Sequence, residues 1–102
     1  MDINKLKLAL DSGNYRISLH AIEESTKDAL TIKDVLQSMQ VSKIIENYSE
    51  DKPLPSCLVL SFLNESPIHT VWAFDVLANK AILVTVYKPD PEKWVEYKER
   101  KK

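Results

Sequence analysis

The sequence has one cysteine, one glycine and two histidines among 102 residues, and each scarcity removes a class of explanation. A single cysteine, Cys57, rules out an intramolecular disulfide and fits a reducing cytoplasm. It precedes Leu58-Val59-Leu60, with no basic neighbour and no CxxC partner, and so reads as a small buried hydrophobe rather than a nucleophile. Gly13 stands alone, which excludes a glycine-rich phosphate loop. The two histidines show no HxH, HExxH or Cys-His spacing, and the Glu50-Asp51 pair lies in no EF-hand frame, so neither a metal nor any other cofactor is expected. No serine sits in a GxSxG elbow. No apolar run reaches the length of a membrane span, and no apolar h-region follows Met1-Asp2-Ile3-Asn4-Lys5. The expectation is a soluble, cytoplasmic protein with no membrane partner. Charge of one sign is lacking too: the net charge is −1 and the pI is near 6.1, which argues against holding nucleic acid by bulk electrostatics. Basic residues do gather late in the chain, at Lys88, Lys93, Lys98, Arg100, Lys101 and Lys102, interleaved with Asp90, Glu92, Glu96 and Glu99. That pattern suits a solvated helix end.

With 44% hydrophobic and 28% charged residues, the chain suits one compact domain without linkers or repeats. Ile3, Leu6 and Leu10 share a helical stripe that Gly13 ends. Ser18 suits an N-cap for a second helix with Leu19, Ile22, Thr26 and Ala29 or Leu30 inward. Thr31-Ile32-Lys33-Asp34 resembles a capping box, and Ile32, Val35, Leu36 and Met39 follow at helical spacing. Beyond Met39 the period changes to that of strands: 41–48, 56–63, 68–75 and 80–87, joined by short connections that favour an antiparallel meander. From Pro91 through Trp94, Val95 and Tyr97 the pattern predicts a closing helix. The expected class is therefore α+β, with N-terminal helices packed on a four-stranded antiparallel β-meander and a C-terminal helix.

Chemistry centres on the histidines, whose ordinary pKa lies nearest neutrality. His20 falls two residues into its helix, where the helix dipole favours the neutral ring that acts as a base. The bland alternative is that it only fixes the preceding loop. His69 lies in the strand-like run Ile68-His69-Thr70-Val71-Trp72, where it either serves a site or points at solvent. His69 and Tyr87 share a sheet face only when their pairing sum is even. A turn centred on Leu77 or Ala78 gives that parity, and one centred between them sets Tyr87 opposite Ile68.

Five segments in order carry a resemblance: Ser18-Leu19-His20-Ala21, Thr31-Ile32-Lys33-Asp34-Val35, Ile44-Ile45-Glu46-Asn47-Tyr48, Ile68-His69-Thr70-Val71, and Val84-Thr85-Val86-Tyr87-Lys88-Pro89 with Trp94 and Arg100. Together they resemble the family called domain of unknown function 4258, from about Tyr15 to Arg100. That family is similar in architecture to the BrnT and RelE/ParE-like toxins, small proteins that include RNA-cleaving members of toxin-antitoxin pairs. The resemblance points to His20, His69, Thr85, Tyr87 and Trp94 as signature positions. It implies a metal-independent ribonuclease in which a histidine or Tyr87 takes the ribose 2′-hydroxyl proton, while Lys27, Lys88 or Arg100 neutralises phosphate. RNA, an antitoxin or other protein, and a second copy of the chain are the candidate partners. One departure opposes this reading. Family members usually carry arginines after the helix histidine, whereas this chain has Glu24 and Asp28 there and only Lys27 as a nearby cation. A non-catalytic protein-binding module on the same fold is the alternative.

Overall fold

The computed structural model describes residues 1–102 and contains three helices and a five-stranded mixed sheet. Helix α1 (Ile3–Asp11) begins where the Asp2 carboxylate accepts from the Asn4 amide. It ends at Gly13, whose φ of +76° is a conformation that glycine adopts without a steric cost. Strand β1 (Tyr15–Ile17) leads into α2 (Leu19–Lys27), where the Ser18 hydroxyl accepts from the Ala21 amide as an N-cap and donates to the Val84 carbonyl. Helix α3 (Ile32–Ser38) opens with the reciprocal Thr31–Asp34 capping box. Strands β2 (Ser42–Tyr48), β3 (Ser56–Leu63), β4 (Ser66–Asp75) and β5 (Lys80–Tyr87) pair antiparallel in succession, and β1 joins β5 in parallel. Spatial order is β1-β5-β4-β3-β2.

Three expectations are overturned. The sheet is not a four-stranded meander, because Tyr15, Arg16 and Ile17 add a parallel edge opposite Ala81, Ile82 and Leu83. The closing helix does not form. Asp90 captures the Glu92 amide with its carboxylate and the Lys93 amide with its carbonyl, and the chain then folds into a short hairpin of β6 (Trp94–Val95) and β7 (Glu99–Arg100). Contacts of Trp94 and Tyr97 with the sheet outweigh local helix propensity there. Third, α2 is rotated from the expected orientation: Ala21 and Ser25 are buried, whereas Leu19 and Ile22 are exposed. Small residues at that i, i+4 spacing let the α2 backbone approach β5 closely, which large ones would prevent.

The helices cover one sheet face. Its core joins Leu6, Ala21, Val35 and Met39 to Cys57, Val59, Ile68, Trp72, Leu83 and Val86. Alternation along the strands sends Leu58, Leu60, His69, Val71 and Tyr87 to the opposite face. The C-terminal hairpin lies over the middle of that second face, on His69.

Candidate functional site

The register that brings His69 and Tyr87 together depends on one extra residue. Near the turn, Asp75 pairs with Lys80 and Trp72 with Leu83, an odd sum that, continued, would set Tyr87 opposite Ile68. Between Leu83 and Thr85 the pairing skips Val84, a β-bulge that restores an even sum, so His69 pairs directly with Tyr87. Both side chains then project toward the C-terminal hairpin.

His69 is 0% exposed, and both ring nitrogens are engaged. Nε2 lies 2.7 Å from the Tyr97 carbonyl, which can only accept, so Nε2 carries the hydrogen. In the neutral ring Nδ1 is then the acceptor, and the Tyr87 hydroxyl donates to it at 3.1 Å. Burial lowers the His69 pKa below its ordinary 6.5, against the opposing pull of the Tyr97 carbonyl and Glu46. Burial raises the Tyr87 pKa above 10.0. Both shifts keep the proton on the phenol and the imidazole uncharged.

The hairpin completes the cluster. Trp94 stands edge-on to His69, with ring centroids 4.5 Å apart, and the Arg100 guanidinium lies 4.8 Å from the Trp94 ring centroid. Arg100 also grips Glu46 of β2 with two nitrogens, at 3.0 and 3.2 Å, and the Tyr48 hydroxyl donates to the same carboxylate. For Glu46, burial works to raise the pKa, but the hydrogen bonds from Arg100 and Tyr48 and the charge of Arg100 hold it below 4.5. Burial, followed by Glu46, raises that of Tyr48. The hairpin turn places Glu96 and Tyr97 at φ of 52° and 63°, with the Lys98 amide donating to the Val95 carbonyl. Two consecutive residues at positive φ match a tight hairpin turn normally built from Asn or Gly, at a cost of order 1 kcal/mol each. That backbone aims the Tyr97 carbonyl at His69.

The remaining sequence candidates lie elsewhere. His20 is exposed on α2, on the helical side of the sheet, so the two imidazoles do not share a hollow. Lys27 pairs with Glu24 at 3.1 Å. Asp28, the C-cap of α2, accepts from the Lys88 amide at 2.8 Å, which gives this acidic substitution a structural duty. The Lys88 side chain is exposed, and Thr85 lies opposite Val71 on the second face without a bond to the cluster. Sequence reasoning missed Glu46, Tyr48 and the Tyr97 carbonyl. The first two were legible as an i, i+2 pair on one strand face, but a backbone carbonyl leaves no signal. No group of three His, Cys, Asp or Glu side chains is arranged to hold a metal, and no helix is long and apolar enough to cross a membrane.

An α+β domain whose mixed sheet carries helices on one face and a polar aromatic cluster on the other is thereby defined. Residues 17–88 match the family described as Domain of unknown function (DUF4258), and the chain belongs to that family. The matched span holds His20, His69 and Tyr87, while the hairpin carrying Trp94, Tyr97 and Arg100 lies beyond it. No curated protein and no solved structure matches the chain.

Proposed function

We propose that this chain is a non-catalytic protein-binding module of its family. The carrying observation is the sealed, neutral His69, with both nitrogens bound inside the protein while the other histidine lies across the sheet. General acid–base cleavage of RNA needs two proton-transfer groups within reach of one 2′-hydroxyl and its leaving oxygen. A buried imidazole fixed to a backbone carbonyl and a phenol meets neither need. Of the three cations named for phosphate binding, Lys27 is paired with Glu24 and Arg100 with Glu46 and the Trp94 face, which leaves Lys88 alone exposed and without an ion pair. In this reading the Tyr87–His69–Tyr97 chain is a rivet that fastens the hairpin to the sheet.

Incubating the purified protein with mixed cellular RNA, alone and with ribosomes, tests this. Intact RNA at high protein excess is expected in both formats. Cleavage that disappears in a His69→Gln or His20→Gln variant with wild-type stability overturns the reading and restores the toxin-like ribonuclease.

A further inference from the structure

The second sheet face has a cleft on each side of the hairpin, and they differ in charge. One, of about 270 Å³, is lined by Arg16 and Lys52 together with the carboxylate of Asp51. The other, of about 310 Å³, is lined by Val41, Ser42, Lys43, Leu60, Phe62 and Lys98, without any carboxylate. Its cations come from different elements, Lys43 from β2 and Lys98 from the hairpin turn. Neither ammonium is in ion-pair contact with a carboxylate, since the ion pairs of the chain are Lys27–Glu24 and Arg100–Glu46. They stand close enough that repulsion from Lys98 lowers the Lys43 pKa, with Glu96 only partly offsetting it. Two unneutralised cations beside an apolar floor favour an occupant that brings both anionic and apolar groups. The exposed Leu19–Ile22 stripe of α2, by contrast, carries no charge feature that would specify one.

We infer that the cleft between β2 and the C-terminal hairpin docks an acidic, apolar peptide segment of a partner protein, with carboxylates at Lys43 and Lys98 and a large side chain on Phe62 and Leu60. The inference rests on the protein-binding reading above and gives it a surface and a partner chemistry. Protein is favoured over nucleic acid because the cleft sets only two cations beside an apolar lining of Val41, Leu60 and Phe62, which suits apolar side chains better than a run of phosphates. The occupant's anionic groups meet the two ammoniums at the rim, where attraction steers the encounter and weakens with salt. Because Lys98 belongs to the hairpin, the site exists only while the Tyr87–His69–Tyr97 rivet holds that hairpin down.

The test is titration of the ¹⁵N-labelled full chain with three probes: a peptide alternating leucine and glutamate, its leucine–lysine counterpart, and an oligouridylate of equal length. The acidic peptide is expected to shift the amides of Lys43, Phe62 and Lys98. The exposed double variant Lys43→Glu, Lys98→Glu should weaken binding at least tenfold while leaving the His69 and Trp72 amides in place. Equal binding of the lysine peptide, or shifts confined to other surfaces, overturns the assignment of this cleft while intact RNA in the cleavage assay keeps the non-catalytic reading. Oligouridylate shifting the same amides in preference to the acidic peptide also overturns it. RNA cleavage removes the underlying reading whatever the peptide does.

Discussion

Replacing Tyr87 with Phe removes one oxygen and tests the rivet directly. In the native chain that hydroxyl is the donor to His69 Nδ1, at 3.1 Å, and His69 has no exposure through which water could substitute. The other nitrogen is committed to the Tyr97 carbonyl, so flipping the tautomer would orphan Nε2 instead. A buried acceptor left without its donor costs about 1–3 kcal/mol, more than the net value of an ordinary hydrogen bond. For a domain of this size, about 2 kcal/mol corresponds to a fall in melting temperature of roughly 10 °C. Differential scanning calorimetry gives the loss, and ¹⁵N shifts of the His69 ring report the tautomer. A Tyr87→Phe protein that melts within about 2 °C of wild type, with an unshifted His69 ring, would falsify the sealed-imidazole description and with it the main support for a non-catalytic module.

The lowered His69 pKa makes stability depend on pH: the unfolded imidazole takes up a proton near 6.5 while the folded one resists, so this contribution is complete above about pH 6.5 and lost as pH falls from there through the folded value. Urea midpoints should therefore be lower at pH 5.5 than at pH 7.5, and a higher midpoint on the acid side contradicts the direction. Trp94→Ala should destabilise by about 3 kcal/mol, near the low end for a buried aromatic because the hairpin can detach without unfolding the sheet; faster amide exchange confined to residues 94–100 is the expected signature. Burial pushes the Cys57 thiol up to about 11, so a thiol-directed disulfide reagent at pH 8 should modify it only after denaturation.

The strands of 41–87 were legible because β-branched and aromatic runs broken by Pro and Asn carry their own period. Tyr15-Arg16-Ile17 was not, since three residues make too short a run to read and their partner lies more than sixty residues away, in β5. The parity condition on His69 and Tyr87 was stated correctly from sequence, yet the hairpin turn alone gives the wrong answer. Val84, which looks like any other strand valine, supplies the missing step. At Pro91 to Tyr97 the apolar spacing fits a helix as well as it fits two short strands, and the decision rests with Trp94 finding His69. His20 sits where an N-terminal helix histidine was expected, but nothing local discloses that its helix and His69 occupy opposite sides of the sheet.

The Val84 bulge means that β5 already holds one residue more than regular pairing with β4 needs. Losing that single codon in frame would merely regularise the ladder and leave Tyr87 opposite His69, whereas gaining one residue between Val84 and Tyr87 would set Tyr87 opposite Ile68, on the helix side, and turn its predecessor Val86 outward. Drift in this lineage is thus expected to rewrite the hairpin tip at Val76 to Asn79 freely, while sparing the spacing between Leu83 and Tyr87 from any one-residue gain.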